Sequence, residues 1–492
     1  MNLRSASLFT LSGSVLLSMF SLTGCMVGPK YKVPTAPAPP AYKEASPDAY
    51  KETADWHVAT PADAAVRGAW WTIFNDPELN ILEPQVETAN QTLKAADANL
   101  RAARANIRVQ NADRYPTLGT APTVQGMRES SNQPYPFSSS EQTNGNANLI
   151  LPLQVSYEVD LWGRIRRNIA AAKEESQATA ADRQNVLLSL QSEVAFDYFE
   201  LRASDAEQKL LNDTVVQYQE ALRVTSNRFN GGIAPKSDVT QAETQLQAAK
   251  VQAADVAVQR AQFEHAIAIL IGQPPASLSL PPDPIPVTLM PPVVPPGLPS
   301  QLLERRPDIA AAERRIAAAN EQIGIARAAY FPTLSLGGQG GVQSSSITSL
   351  FEPASIIYSL GPTLGETFFD GGRRHGLSEE AIAGYEQNAA NYRQSVLTAY
   401  QQVEDNLVAL RVLSDEAQQQ RQATASAVES ERIFNNRYVG GVDTYLQVIT
   451  AQTTALNNER NDIDILRRRM DATVLLIKVL GGGWDRTQLP PQ

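Results

Sequence analysis

The sequence of 492 residues is poor in the side chains from which metal and redox centres are built. Its one cysteine excludes an intrachain disulfide, and its three histidines are too scattered along the chain to suggest a metal site. The 42 lysines and arginines are outnumbered by 52 acidic residues and form no dense run, so the formal net charge is −10. We therefore expect no metal cofactor and no nucleic-acid partner.

Motifs for catalysis are also scarce. The glycine-rich run at 337–341 lacks the Lys-Ser/Thr that completes a phosphate-binding loop, and it continues a strand-like segment. Neither Gly-x-Ser-x-Gly nor His-Glu-x-x-His occurs. The acidic residues are spaced like those of solvated helix surfaces, and no pair among them is expected to have a raised pKa. We therefore predict no catalytic residues and a protein that is not an enzyme.

Long apolar runs are missing after residue 25, which excludes a membrane-spanning helix there. Residues 1–24 have the pattern of a secretory signal peptide, with a positive start at Arg4 followed by an apolar stretch. The tetrapeptide Leu22-Thr23-Gly24-Cys25 is similar to the lipobox of bacterial lipoproteins, in which the cysteine becomes the acylated first residue. A covalent lipid on Cys25 is then the expected anchor, and a plain signal peptide is the alternative.

Two proline-rich segments divide the rest of the chain. The segment after Cys25, which we call the strap (25–67), begins with prolines that favour an extended tether over packed structure. Twelve of the 32 prolines lie between Pro274 and Pro307, and they indicate a connector at 274–300.

The segments before and after this connector are internal repeats. Residues 227–233 recur as 436–442 at an offset of 209, and Gly163-Arg164 recurs at the same offset as Gly372-Arg373. We therefore predict a first repeat at 68–273, a second repeat at 301–483 and a C-terminal tail at 484–492.

Each repeat contains very long stretches without a helix breaker. Residues 164–230 hold neither Gly nor Pro, and a helix of this length would extend about 100 Å. Two shorter breaker-free runs, at 85–115 and 236–271, would together match the length of this helix if laid end to end. Breaker-free runs at 385–439 and 442–480 repeat the pattern in the second repeat. Apolar residues in 236–271 recur at three- and four-residue steps, which predicts one narrow packed seam. An ordinary extended coiled coil is the alternative.

Strand patterns argue against a simple coiled coil. Apolar and polar residues alternate from Leu151 to Asp160 and again from Leu360 to Phe368, which suits lipid on one face and water on the other. Hairpins at about 115–160 and 331–368 give four strands per chain, too few to close a membrane barrel. The expected fold is mostly α with a small β part, and strands in a membrane would require oligomerisation.

The sequence resembles the TolC-like outer-membrane factors, in particular the outer-membrane lipoproteins of RND-type tripartite efflux systems. The motifs that carry the resemblance span nearly the whole mature chain, at 25–31, 70–79, 303–309, 368–374 and 451–452. The resemblance implies a homotrimer in which a 12-stranded outer-membrane β-barrel tops a long periplasmic α-helical barrel.

The resemblance also implies partners and a passive role. The chain would be an exit duct for small molecules, lipid-anchored in the bacterial outer membrane, and reached through a periplasmic membrane-fusion adaptor from an inner-membrane RND-type pump. A type I secretion-like export duct and a periplasmic coiled-coil scaffold lipoprotein are the alternatives.

The glycine pairs that end the long breaker-free runs mark the expected periplasmic tip, about 100 Å from the strands. Exposed turn glycines permit close approach of a partner backbone, which predicts an adaptor-docking surface. Its candidate residues are Asn230, Gly231, Gly232, Asp238, Gly440 and Gly441.

The resemblance places a gate beside the same turns. Leu446 matches the apolar constriction position and Tyr438 the tyrosine position, while a seam residue is the alternative interpretation of Leu446. Many family members carry Asp-Ala-Gln-Arg where this chain has Thr450-Ala451-Gln452-Thr453, so charged locking pairs are missing at Thr450 and Thr453. We expect a ring of Asp443 carboxylates to favour cations there instead.

Overall fold

The computed structural model describes residues 26–36, 39–44, 68–127, 146–296 and 302–483. Long helices dominate these residues, and one antiparallel sheet joins their ends. The predicted signal peptide, Cys25 and the tail at 484–492 lie outside the described residues.

The first repeat begins with a short 3-10 turn at Trp70–Phe74. Its helices and strands follow in the order α1 (Pro77–Ala89), α2 (Gln91–Ala112), β1 (Thr117–Thr120), β2 (Thr123–Met127), β3 (Asn146–Val159), α3 (Arg164–Asn230) and α4 (Lys236–Leu270). The second repeat contains α5 (Leu302–Arg305), α6 (Pro307–Ala328), β4 (Thr333–Ser344), β5 (Ile356–Gly365), α7 (Arg373–Val439) and α8 (Tyr445–Val479). The long helices α3 and α7 both have 67 residues, and α4 and α8 both have 35, which confirms the tandem repeat.

Two helix boundaries differ from those predicted by breaker-free runs. Helix α7 starts at Arg373, not near 385, and includes Gly376 and Gly384. Each glycine costs about 1 kcal/mol relative to alanine. The carboxylate of Asp370 accepts the backbone N–H groups of Gly372 and Arg374 at 3.0 and 3.1 Å, which caps the earlier start.

The run predicted at 85–115 is two helices. Asn90 leaves the helical conformation between α1 and α2, and its side-chain oxygen accepts the N–H of Leu93 at 3.0 Å. This N-cap begins a new helix without any Gly or Pro, which is why the breaker criterion missed it. Pro84, taken as a boundary, lies inside α1.

Short helices of each repeat meet end to end, as predicted, and a polar side chain closes each junction. Asn90 donates its amide N–H to the carbonyl of Leu270, the last residue of α4, at 2.8 Å. In the second repeat, Arg306 donates to the carbonyl of Val479, the last residue of α8, at 3.0 Å. The carbonyls at a helix C-terminus lack intrahelical partners, so these bonds allow two helices to continue as one column.

The helices form a wall one layer thick. On the side of the sheet the neighbours are α2, α3, α6 and α7, and on the far side they are α4, α3, α8 and α7. The main apolar core lies where α1 and the 3-10 turn pack on the middle of α3, around the fully buried Trp70, Leu79 and Tyr198. The predicted seam of α4 is confirmed, since Leu246, Ala249 and Val256 are buried.

The sheet has the order β1-β3-β4-β5, and β2 also pairs with β3. The first strand of the predicted hairpin is therefore two short strands, separated at Ala121-Pro122, where proline has no N–H for the ladder. Strand β5 ends at Gly365, short of the predicted Phe368. The sheet therefore has four positions side by side, the outer two occupied by β1 with β2 and by β5.

The described part of the strap, residues 26–36 and 39–44, contains no helix or strand, as its prolines predict, but it is packed against the helices where a free tether was expected. Tyr42 is buried among apolar side chains of α5, α6 and α7. The backbone N–H groups of Lys43 and Glu44 donate to the carboxylate of Glu404 at 2.7 and 2.9 Å. Prolines prevent regular secondary structure but leave carbonyls, aromatic rings and the other N–H groups free to bind neighbouring helices.

Candidate functional site: the sheet face and the helix-hairpin tips

One face of the sheet is apolar and open. On β5 the side chains of Tyr358 and Leu360 are each 87% exposed, and Leu364 is 68% exposed. Residues paired across neighbouring strands point to the same face of a sheet. Leu360 is paired with Gly338 and Leu364 with Leu334, so β4 contributes to the same apolar face. A soluble surface rarely exposes so continuous an apolar area, so this face is built for an apolar environment.

The opposite face of the sheet is polar. It carries Gln154, Ser156 and Glu158 of β3, and in register with these residues it carries Gln339, Gly337 and Ser335 of β4. The alternation of polar and apolar residues was predicted for the segments that form β3 and the second half of β5, and it extends across the sheet. An apolar face and a polar face, each spanning all four positions, separate lipid from water.

Aromatic side chains collect where the sheet joins the helices. Trp162 stacks on Phe331 with ring centroids 4.6 Å apart, and its indole N–H donates to the carbonyl of Pro332 at 2.7 Å. Phe368 and Phe369 are almost fully exposed just beyond β5. The indole of Trp162 has one polar edge, and such a ring favours the boundary between lipid and water, so this group of rings, the aromatic belt, marks the lower limit of the apolar face.

None of the described helices is both long enough and apolar enough to cross a membrane. Among the described residues there is also no group of three or more His, Cys, Asp and Glu side chains that could hold a metal ion.

The two helix hairpins end in turns of the same construction. Gly232 and Gly441 have positive φ values of 73° and 76°, which a residue with a Cβ adopts only with strain. In each turn a backbone N–H reaches back to the long helix: Ile233 to the carbonyl of Arg228 at 2.8 Å, and Val442 to that of Arg437 at 2.9 Å. Both turns thus stop a 67-residue helix abruptly and reverse the chain.

The structure brings the predicted docking residues to this end of the molecule, on both hairpins. Five of them are exposed and lie in the two turns, namely Asn230, Gly231, Gly232, Gly440 and Gly441. Asp238 is half-buried in the first turn of α4. Each hairpin therefore offers an exposed backbone surface at its turn, with Asp238 beside the first turn and Asp443 beside the second.

The three predicted gate residues have different surroundings. Leu446 is 57% exposed on the first turn of α8. Tyr438 is buried, with its ring 5.1 Å from that of Tyr445. Asp443 forms an ion pair with Arg437 at 2.6 Å. Leu446 is thus the gate candidate that presents a side chain to the surroundings of the protomer, while Asp443 already has a cationic partner.

Arg228 joins the two hairpins and was missed by the sequence analysis. Its guanidinium lies 4.7 Å from the centre of the Tyr438 ring and donates to the carbonyl of Val439 at 3.1 Å. The repeat itself contained a signal, because Arg228 and Arg437 occupy equivalent positions in the repeated motif. The two arginines have diverged in role: Arg228 bonds across the repeats, and Arg437 bonds within its own hairpin.

A buried acidic pair contradicts the expectation that no carboxylate has a raised pKa. Burial, together with the nearby Glu200, raises the pKa of Asp471 from its ordinary 3.8 to about 8, although Arg467 opposes the shift. Arg467 bonds to both carboxylates and links α3 to α8. Burial likewise raises the pKa of Asp197 to about 7, with Glu193 and Glu200 adding to the effect. Helix periodicity did not reveal the pair of Glu200 and Asp471 because its two members come from different repeats.

Comparison with known proteins agrees with these features. The outer membrane efflux protein family matches residues 83–273 and 298–482. The chain is 31% identical over 473 residues to the outer membrane protein OprJ of Pseudomonas aeruginosa, covering 96% of both proteins. It is 30% identical to the toluene efflux pump outer membrane protein TtgF of Pseudomonas putida, covering 97% of this chain and 98% of the relative.

Solved structures give the same result. The outer-membrane channel OprN superposes with a TM-score of 0.83 at 28% identity, covering 94% of this chain and all of that chain. The Campylobacter jejuni CmeC outer membrane channel, at 22% identity, shares the fold with a TM-score of 0.85 over 94% of this chain and 96% of that chain. Both repeats of this chain match the family, and we conclude that it belongs to the outer membrane efflux protein family.

Proposed function

We propose that this protein is the outer-membrane exit duct of a tripartite efflux pump, through which small molecules pass passively. The observation that carries the proposal is the direct connection of a sheet with one apolar face to helices about 100 Å long. Such a shape places the sheet in a membrane and the hairpin tips far from it. The relative named as a toluene efflux pump outer membrane protein supports the same role.

The chain would act as a homotrimer. Its sheet has four strand positions, and the two outer strands each have one edge without a hydrogen-bonding neighbour. In a membrane every backbone N–H and C=O needs a partner. Joining β5 of one copy to β1 and β2 of the next satisfies both edges. Three copies then supply twelve strands, which lies within the range of closed outer-membrane barrels.

The helical wall would close by the same threefold arrangement. Helices α2 and α7 are at the two edges of the layer near the sheet, and α4 and α7 are at its edges near the tips. Three such walls side by side form a tunnel one layer thick, with water on both sides. A wide hydrated tunnel has no substrate-shaped pocket, so selectivity would reside in the pump.

The tips would carry both the gate and the partner surface. Three Leu446 side chains meeting near the threefold axis would close the mouth by apolar contact. The exposed glycine turns would receive the hairpins of a periplasmic membrane-fusion adaptor, which couples the duct to an inner-membrane RND-type pump. Because Arg437 already pairs with Asp443, the mouth would favour cations less strongly than a ring of free carboxylates would.

The anchor would be an acyl group on Cys25, inserted into the periplasmic leaflet of the outer membrane. The β-barrel itself would keep the protein in the membrane, so the acyl group on Cys25 would orient the protein and add to its retention.

The proposal is tested by reconstituting the purified protein into planar bilayers and by crosslinking it in detergent. We expect discrete ion conductance and a crosslinked species of three chains. A protein that crosslinks only as a monomer, or that never conducts even when the tip is opened by mutation, would contradict an export duct.

A further inference from the structure

The start of the strap lies in a buried site between the two repeats. Val27 donates its N–H to the carbonyl of Trp162 at 3.1 Å, directly below the sheet. The guanidinium of Arg167, on the first turn of α3, donates to the carbonyl of Val27 at 2.7 Å and towards that of Pro29 at 3.4 Å. From the other repeat, Asn320 of α6 donates to the same Pro29 carbonyl at 3.3 Å.

The charge at the centre of this site is neutralised by a buried ion pair. The side chain of Arg167 is 3% exposed and forms an ion pair of 2.7 Å with Glu321 of α6. An arginine so deeply buried is costly unless it is paired and hydrogen-bonded, and here its Nε and Nη2 groups donate to the strap carbonyls of Val27 and Pro29. The strap therefore completes the site and is more than a segment lying on a finished surface.

Two glycines make the close approach possible. Gly28 has a φ of +115°, and a Cβ there would lie 2.7 Å from the Cα of Gly324. A Cβ on Gly324 would in turn overlap the guanidinium of Arg167. Gly324 lies in the interior of α6, where glycine is unfavourable by about 1 kcal/mol. The absence of a side chain there leaves room for Arg167 and Gly28.

The site lies close to the end of the sheet, near the expected boundary of the membrane. Arg167 is on the first turn of α3, and Gly324 is on the last turn but one of α6, within roughly 10 Å of the end of the sheet. Met26 packs beside Gly163, next to the Trp162–Phe331 pair of the aromatic belt. Residue 25 precedes Met26 by one Cα–Cα step of about 3.8 Å.

We propose that this site, formed by Arg167, Asn320, Glu321 and Gly324, is a clamp that holds the acylated N-terminus at the membrane boundary. The inference rests on the proposed outer-membrane location and on acylation of Cys25. The clamp places the acyl chains beside the aromatic belt. The acyl chains and the apolar face of the sheet are then held at the same height in the membrane.

Without the clamp, the next buried contacts of the strap are those of Tyr31 and Tyr42. Tyr31 donates to Glu313 at 2.5 Å, one helix turn or more farther from the sheet, and Tyr42 packs near Glu404. A chain held only from Tyr31 onward would let residue 25 range over about 20 Å, which is a large part of the roughly 30 Å thickness of a bilayer core. A lipid on such a tether would not determine the height of the sheet in the membrane.

The test uses trypsin, because Lys30 and Lys32 are exposed between the clamp and the rest of the strap. Cleavage there requires local opening of the backbone and releases an N-terminal lipopeptide. The full-length protein, purified in detergent after palmitate labelling, is compared with the Gly28→Ala and Gly324→Ala variants. Gly376→Ala is the matched control, because a Cβ there meets nothing within 4 Å in a helix of the same kind.

We expect both clamp variants to release the labelled peptide at least about tenfold faster than wild type, since proteolysis follows the population of the open form. Gly376→Ala should release it at the wild-type rate. Gly28→Ala changes only the strap, so its oligomer in detergent should match wild type even if Gly324→Ala disturbs the helices.

Equal release from wild type and Gly28→Ala would overturn the clamp, as would equally fast release from Gly376→Ala. The mass of the released peptide reports acylation separately: an unlipidated Cys25 would refute the anchor. Failure of the export duct would show in bilayer conductance, which this assay does not use.

Discussion

Removing the side chain of Arg228 should open the channel. Arg228 makes the cross-repeat contact at the tips, through the ring of Tyr438 and the carbonyl of Val439. In Arg228→Ala both contacts are lost, while the backbone turn that follows Asn230 keeps its own hydrogen bonds. If opening moves the two hairpins apart, this variant destabilises the closed state alone.

The size of the effect follows from the two contacts. A hydrogen bond from a charged donor contributes about 1.5–3 kcal/mol, and a partly exposed cation–π contact about 0.5–1 kcal/mol. The closed state should therefore lose about 2–4 kcal/mol per protomer. At 1.4 kcal/mol per tenfold change, the ratio of closed to open tips falls by roughly 30- to 700-fold.

Single-channel recording in planar bilayers measures this ratio directly. Wild type should be closed for most of the record without an adaptor, and Arg228→Ala should show frequent or permanent large conductance. Arg223→Ala is the control, because Arg223 pairs with Glu220 on its own helix and lies on the surface. Arg228→Lys should fall between, since lysine keeps the charge but has one nitrogen where arginine has three.

The reasoning is refuted if Arg228→Ala forms the wild-type oligomer and closes as often as wild type. That result would mean that both hairpins move together, with the Arg228 contacts kept in the open state. Arg223→Ala opening as readily as Arg228→Ala would show instead that loss of any positive charge near the tip is sufficient.

Four further outcomes are expected. Leu446→Ser should raise conductance without an adaptor, because burial of each leucine contributes roughly 1.5–3 kcal/mol to closure; unchanged conductance would refute the apolar gate. Gly440→Trp should abolish efflux in cells while oligomers still form, whereas Gly440→Ala, whose methyl group would lie 3.4 Å from the Asn436 carbonyl, should retain efflux. Cys25→Ser should lose palmitate labelling, and continued labelling would contradict the lipobox. Because burial raises the pKa of Asp471 to about 8, thermal stability should fall as pH rises from about 4 through 8, and Asp471→Asn should flatten this fall in melting curves.

The long helices were predictable from local sequence alone. Residues 164–230 are predicted as one unbroken helix and form α3, because the run is far too long for a β-strand and contains no Gly or Pro to end a helix. The start of α7 was not predictable in this way. There a cap from Asp370 and continuation into a helix that is packed from Ala389 onward outweigh two glycines, and a residue-by-residue criterion gives those glycines too much weight.

The strap and the cross-repeat contacts needed the folded chain. The prolines at the start of the strap predict an extended backbone, but they do not show whether that backbone packs against another part of the protein. Arg167, Arg228 and the Glu200–Asp471 pair each make contacts to residues far away in sequence. Helical periodicity shows which face of a helix is buried, and it does not show which polar residues of two helices meet.

The contacts between columns of this wall follow from a single constraint. A layer one helix thick has little core in which to hide the free carbonyls at helix ends, so long polar side chains of neighbouring segments bond to them. Asn90 at the carbonyl of Leu270 and Arg306 at that of Val479 do this near the middle of the wall, and both side chains belong to buried residues. Arg228 makes the equivalent bond at the tip, where its residue is only half-buried. Water or a partner can compete for that bond far more easily than for the other two, so opening should begin at the tips while the wall above them stays rigid.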